Sequence, residues 1–324
     1  MRLIRSFENA AEIASQGGVG VFGQAVSGVR VMVRGPLHLS TGQEAVPAGV
    51  CAHLERADAI TSTHRGHGHT IAKGADPTKM MCELFGRASG FNQGKGGSMH
   101  IADFSVGMLG ANGVVAAGIP IAVGAAHAMK LRGERSVVVC FFGDGAINRG
   151  PFLEGLNWAR IYDLPVLFVC EDNRYSATTA SGPMTGGEGA AARALSIGIE
   201  SVRCDGNDVE EVDAAARTLI ASVRGGGGPR LLHAVTYRQK GHVSVDPASY
   251  RDPSELAKAL ESDPIAAAES KLRTRGVAAH TIATVAAEAE AQIAIAVRTA
   301  HEAPWPDASL AYTDIQDTGS GRWL

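Results

Sequence analysis

Two short polar stretches interrupt the most apolar part of this sequence. Gly143-Asp144-Gly145 follows the run Ser136–Phe142, and Glu171-Asp172-Asn173 follows Pro165–Cys170. The Asp144 carboxylate and the Asn173 amide are oxygen donors of the kind a hard cation accepts. Magnesium takes one or two protein carboxylates and completes its shell with phosphate oxygens and water. Gly143 and Gly145 remove side chains where a phosphate must approach. The N–H groups after Gly145 open a helix, whose positive end favours an anion. Together these residues describe a seat for a magnesium-bound phosphate group.

The seat works only if the flanking elements bring its two halves together. Ser136–Phe142 is continuously apolar and β-rich, as expected of a strand covered on both faces. Gly150-Pro151 starts a helix, with proline tolerated in the first turn. Phe152, Leu156 and Ala159 then fall on one helical face, and Pro165–Cys170 forms a second buried strand. This β-α-β unit has a right-handed crossover and sets Asp144 and Asn173 at neighbouring strand ends. In open parallel sheets, ligands bind at the carboxyl ends of the strands. Elsewhere the pattern predicts helices over 1–16, 43–57, 77–88, 115–131 and 208–224, strands over 199–204 and 229–237, and mostly helix over 253–302. The 115–131 stretch is small and apolar all round, which predicts a buried helix. The fold class is therefore α/β: a mainly parallel sheet with helices on both faces and a C-terminal helical region. Residues 1–302 are expected to form one domain, and 303–324 an extended tail.

Composition narrows the function classes. The chain has 324 residues, 45% hydrophobic and 19% charged, with a net charge of −3. That balance implies no general attraction to nucleic acid or anionic lipid. No run approaches the ~20 apolar residues of a membrane span. The first sixteen residues read as a charged helix rather than the apolar core of a signal peptide. The five cysteines are widely spaced with no CxxC, as expected of reduced core thiols in a cytoplasmic protein. The forty glycines cluster at 86–97, 106–118, 143–150 and 182–189, which suggests loops that approach a ligand closely.

Three further patterns carry less. GVGVFG at 18–23 fits GxGxxG, but it follows a polar, helical-looking stretch with no β-α-β around it. GFNQGK at 90–95 is one residue short of a phosphate loop, and Gly97 stands where Ser or Thr is required. His64, His67 and His69 have zinc-like spacing without a cysteine or carboxylate partner nearby. They read better as polar loop residues around a phosphate.

GDGAINRG (143–150), followed by a long helix and Glu171-Asp172-Asn173, resembles the thiamine-diphosphate motif that opens with GDG and closes near an asparagine pair. GPLHLSTGQEAV (35–46), STHRGHGHTIAKG (62–74), GKGGSMHIAD (94–103), MLGANGVV (108–115) and YRQKGHVSVDPASYR (237–251) extend the resemblance over about residues 35–270. It is to alpha subunits of 2-oxo acid dehydrogenase first components, nearest in flavour to acetoin dehydrogenase, with pyruvate and branched-chain enzymes behind. The resemblance implies the diphosphate-binding half of the thiamine-diphosphate fold, with Mg2+ held by Asp144, Asn173 and the Tyr175 carbonyl. Gly145 and Ala146 would contact the diphosphate through backbone beside Gly143, and Arg65 and His242 through side chains. Gly113 and Val115 would hold the aminopyrimidine and bend the cofactor. His38 would face the small-molecule substrate, with His67 nearby, so that His38, His67 and His242 are the expected catalytic histidines. A beta subunit would supply a glutamate in a two-alpha, two-beta heterotetramer, and the acyl or hydroxyalkyl product would pass to a lipoyl-bearing acyltransferase. A split transketolase-like subunit and a non-catalytic cofactor-binding subunit are the alternatives. Departures are Asp172 in place of the first asparagine, the 17–36 and 176–189 segments, and Val243 where animal pyruvate dehydrogenases carry a phosphorylated serine.

Overall fold

The computed structural model describes residues 1–15, 32–33 and 35–313; the GVGVFG segment and residues 314–324 lie outside the described residues. The strands are β1 (Ala59–Thr61), β2 (Met108–Gly110), β3 (Val138–Gly143), β4 (Val166–Asp172), β5 (Tyr175–Ser176), β6 (Thr179–Ala180), β7 (Ser201–Asp205) and β8 (Arg230–Val235). Six of them form one sheet in the order β2-β1-β3-β4-β8-β7. Every neighbouring pair in it is parallel. Strands β5 and β6 form a separate antiparallel hairpin.

Helices α1 (Arg2–Ser15), α2 (Ala45–Cys51), α3 (Gly66–Ala72) and α4 (Pro77–Leu84) lead into α5 (Gly118–Leu131) and α6 (Gly150–Ile161), which flank β3. They are followed by α7 (Ala190–Ser196), α8 (Val209–Arg224), α9 (Pro253–Glu261), α10 (Pro264–Thr274) and α11 (Ala279–Glu302). Strand alternation divides the core between the two faces of the sheet. Val139, Phe141, Leu167, Val169 and Leu232 pack with residues of α1, α2, α4, α8 and α11. Val138, Cys140, Phe142, Val166 and Phe168 pack with α5, α6 and α7. Burying such a side chain is worth roughly 1.5–3 kcal/mol, so the two uninterrupted apolar runs fix the centre of the sheet. This is the α/β architecture expected, including the C-terminal helical region.

Several local expectations need correction. β1 and β2 are three residues each, too short to leave a periodic trace. The HRGHGH segment is only partly a loop: His64 and Arg65 form a turn, and Gly66 to His69 begin α3. Helix α5 is buried only on its inner face, through Ile119, Ala122, Val123 and Ala126, while Ile121 and Leu131 are exposed. Residues 303–313 are not simply extended. The Ala88 N–H donates to the Pro304 carbonyl at 3.0 Å, the Arg87 guanidinium lies 3.9 Å from the Trp305 ring centre, and Ala308–Tyr312 forms a 3-10 turn. No helix among the described residues is long and apolar enough to cross a membrane.

The GFNQGKGG loop explains itself. Backbone N–H groups of Asn92, Gly94, Gly96 and Gly97 donate to the fully buried Glu83 carboxylate at 2.8 to 3.0 Å. The chain's own glutamate fills the concavity that a phosphate loop would offer to a nucleotide. A Cβ on Gly90 would lie 2.4 Å from Glu83 Oε2, which accounts for that glycine. The anchored loop carries Ser98 and Met99 towards the strand ends.

Candidate active site

Gly143 on β3 pairs in register with Glu171 on β4. Asp144 and Asn173 therefore emerge at the carboxyl ends of adjacent strands and line a single cavity of about 210 Å³. Asp144 is 5% exposed, and among the described residues its Oδ2 has no hydrogen-bond partner. Burial pushes its carboxyl above the usual range; a hydrogen bond to Ser181 opposes the shift and the charge of Asp172 reinforces it. A buried, unpartnered carboxylate oxygen at a cavity wall suits a cation. Asn173 is oriented from both sides. Its Nδ2 donates to Gln43 Oε1 at 3.0 Å, and its Oδ1 accepts the Tyr175 N–H at 3.2 Å.

The opposite wall is cationic. Arg65 and Arg238 are 4% and 1% exposed, and among the described residues neither pairs with a carboxylate. Arg65 donates to the Leu39 carbonyl at 2.7 Å and the His242 carbonyl at 2.9 Å. Arg238 donates to the Ala177 carbonyl and to Tyr250 Oη, both at 3.0 Å. Burial, then the charge of Arg238, lowers Arg65 to about 9. Burial and Arg251 likewise lower Arg238. Buried cations without counter-charges are unfavourable by several kcal/mol, so this wall suits an anion.

Against it stand His38, His64 and His242, with ring centroids 4.5 to 5.7 Å apart. Their ligating nitrogens lie within 4.8 Å of one another. Burial first, then the Arg65 charge, lowers His38 to about 3, His64 to about 2 and His242 to about 4. All three rings are neutral at physiological pH and offer N–H donors and nitrogen acceptors rather than charge.

Arg65, His38, His242, Gly113, Val115, Gly143, Asp144, Gly145, Ala146, Asn173 and Tyr175 all line this cavity. A Cβ on Gly113 would meet nothing nearer than Met99 Sδ at 3.8 Å, and one on Gly143 nothing nearer than the Glu171 carbonyl at 4.0 Å. Both positions leave open space for a ligand. Gly145 is different: a Cβ there would lie 2.3 Å from Ser176 Oγ and 2.9 Å from Ser176 Cβ, so the β5–β6 hairpin demands the glycine. His67 is not in the cavity wall. It is fully buried, with Nδ1 3.0 Å from Glu8 Oε2 and Nε2 3.0 Å from Ser98 Oγ. Glu8 also accepts the N–H of Ser40 at 3.0 Å. His67 thus braces α1, the His38 segment and the glycine loop from behind. His69 stacks on Phe141 at 3.9 Å and meets Glu171, so HRGHGH sends its three histidines into three different environments. His64, read from the sequence as a polar residue near a phosphate, lines the cavity, and Gln43 and Arg238 are cavity residues that the sequence reading missed. Arg238 lies just past the carboxyl end of β8, the same sheet edge as Asp144, and that placement was the available signal.

A parallel sheet that presents a buried acid at its strand ends, in a cavity with two guanidinium groups that pair with no carboxylate among the described residues, is built to hold an anionic group together with a cation at a sheet edge. Residues 25–309 match the model of the dehydrogenase E1 component family. The chain is 43% identical to the alpha subunit of acetoin:2,6-dichlorophenolindophenol oxidoreductase of Bacillus subtilis, over 87% of this chain and 84% of that one. It is 42% identical to the subunit of the same name from Cupriavidus necator, over 97% and 91%. To the pyruvate dehydrogenase E1 component alpha subunit of Rhizobium meliloti it is 36% identical, over 97% and 87%. The chain belongs to the dehydrogenase E1 component family, the thiamine-diphosphate-dependent enzymes to which its motifs pointed, and it corresponds to the alpha subunit over most of that subunit's length.

Proposed function

We propose that this chain is the diphosphate-holding alpha subunit of an acetoin-cleaving dehydrogenase, acting with a beta chain and passing its two-carbon product to a lipoyl group on an acyltransferase. The observation that carries the reading is the pairing of the unpartnered Asp144 Oδ2 with the unpaired Arg65 and Arg238 in one cavity. Asp144, Asn173 and the Tyr175 carbonyl would hold a divalent cation, and the guanidinium wall would take the diphosphate, so that both needs would be met together. When bound, thiamine diphosphate supplies the carbanion chemistry that cleaves the substrate's carbon–carbon bond. The chain's own part is to hold and to exclude. Arg65 and His242 would take diphosphate oxygens. Gly113 and Val115 would set the bend of the cofactor, and the neutral His38 and His64 would hydrogen-bond the substrate's oxygens. The higher identity to acetoin-dependent relatives supports acetoin over pyruvate.

The need for a partner follows from the surface. Glu171 is the glutamate lining the cavity among the described residues, and it already meets His69. A carboxylate for the aminopyrimidine would come from outside the chain. The cavity mouth is rimmed by Val114 and Val115, exposed by 66% and 44%. Ile121 on α5 and Leu153, Trp158 and Ile161 on α6 add further exposed apolar side chains. Apolar surface of this kind supports a protein partner over the mouth, consistent with a two-alpha, two-beta heterotetramer. Calorimetry on the chain co-purified with its beta subunit tests the core of the proposal: thiamine diphosphate should bind only with Mg2+ present, and binding that ignores Mg2+ would refute the seat. A turnover panel of acetoin, pyruvate and branched 2-oxo acids with a lipoyl acceptor then tests the substrate, with acetoin expected to lead.

A further inference from the structure

Asp172 stands where the resemblance leads one to expect asparagine, and it does not line the active-site cavity. It faces a second, smaller cavity of about 180 Å³ on the far side of Asp144, shared with His233, Ser181 and Thr185. Both of its carboxylate oxygens are engaged. Oδ2 lies 2.9 Å from His233 Nε2, and Oδ1 accepts the Arg174 N–H at 3.2 Å. Arg174 has a φ of 67°, the left-handed region that non-glycine residues seldom adopt. This turn sets the Asn173 side chain and the Tyr175 backbone, because the Tyr175 N–H donates to Asn173 Oδ1.

His233 projects from β8, where it pairs in register with Cys170 two residues before Asp172. It is 4% exposed, and among the described residues its Nδ1 has no hydrogen-bond partner. Among the described residues, Asp172 is therefore the hydrogen-bond partner that fixes this ring, and the sheet fixes its backbone. Asp172 and Asp144 line this second cavity together, so the Asp172 carboxylate stands behind Asp144.

We propose that Asp172 and His233 are a positioning pair for the divalent cation: His233 anchors Asp172, and Asp172 holds the turn that presents Asn173 and Tyr175 while adding negative charge behind Asp144. The inference rests on the reading of the cavity as a metal-diphosphate seat. Partners of this kind, one step removed from the metal, typically change its affinity 10–100-fold when lost.

Mn2+ serves as the probe, with affinity read by electron paramagnetic resonance on the alpha–beta complex with saturating thiamine diphosphate. Asp172→Asn keeps the shape and an acceptor for Arg174 but loses the charge; it should weaken Mn2+ about tenfold. His233→Leu should weaken it by a similar factor and alter the line shape of bound Mn2+, whereas His233→Gln, which retains a donor for Asp172, should recover most of the affinity. Far-UV circular dichroism checks that each variant is folded. Asp172→Asn and His233→Leu both within twofold of the unsubstituted complex would overturn the pair while leaving the metal seat standing. An unsubstituted complex that binds no Mn2+ with thiamine diphosphate would overturn both.

Discussion

Asp144→Asn separates what the seat gains from a cation from what the free chain loses by building it. In the free chain the carboxylate is buried, one oxygen lacks a partner, and Asp172 opposes its ionisation. The amide removes the buried charge and its repulsion with Asp172 and should stabilise the unliganded chain by about 1 kcal/mol, which at this chain length raises Tm by roughly 2 °C. With ligands the sign reverses. Removing one partner of a buried ionic contact costs about 3–5 kcal/mol, or on the order of a hundredfold to several thousandfold in affinity. At a ligand concentration about 100 times Kd, the native complex gains roughly 2.7 kcal/mol from binding, and the variant should gain almost nothing. The assay is thermal unfolding of the alpha–beta complex with and without Mg2+ and thiamine diphosphate. The variant should melt higher than the native complex without ligands and lower with them. pH provides a second handle. Because the folded Asp144 carboxyl lies above its ordinary value of 3.8, the folded chain holds a proton there that the unfolded chain releases. Its contribution to stability therefore falls as pH rises through that window, and the variant lacks this slope. Identical melting with native protein in both conditions would refute the reasoning.

The histidine cluster makes a prediction of opposite sign: His38, His64 and His242 fall to about 3, 2 and 4 from an ordinary 6.5. The unfolded chain therefore takes up protons that the folded chain refuses, and stability should decline as pH drops below about 6.5. The urea midpoint measured from pH 7.5 to 5 should show this, with a shallower decline in His64→Gln; an unchanged slope would count against the cluster's neutrality. Gly145→Ala should displace the β5–β6 hairpin, cost about 1–3 kcal/mol and impair Mg2+ binding, and adding Ser176→Gly should restore both in calorimetry and melting. Glu83→Gln replaces one of the two accepting oxygens with an NH2 that faces two of the four N–H donors, so it should lose about 3 kcal/mol in urea unfolding and speed amide exchange at Gly94 to Gly97; unaltered exchange would contradict the anchoring role.

The parts of this molecule that could be read from sequence are those where one physical demand dominates. The apolar runs Ser136–Phe142 and Pro165–Cys170 leave no polar face, so their burial and pairing follow, and with them the neighbourhood of Asp144 and Asn173. The proline-led starts of α4 and α6 were equally plain. What escaped depended on three-dimensional closure. β1 and β2 are too short for any period to register. His67 shares a motif with Arg65, yet the start of α3 turns it from the cavity towards Glu8, 59 residues away in sequence but adjacent in space. Gly145 looked like room for a phosphate and is instead room for Ser176, a contact set by a hairpin whose two-residue strands carry no pattern. Gln43 and Arg238 are ordinary polar residues until the fold aims them at one cavity. The outward side of α5 was misjudged for a related reason: an all-round apolar helix signals burial, but not by which molecule.

That outward side has a consequence for how the protein must be made. A folded chain that displays Ile121, Leu153, Trp158 and Ile161 to water is a poor solitary species. Made without a partner to cover that face, the chain is expected to self-associate, and co-production with the proposed beta chain should relieve it.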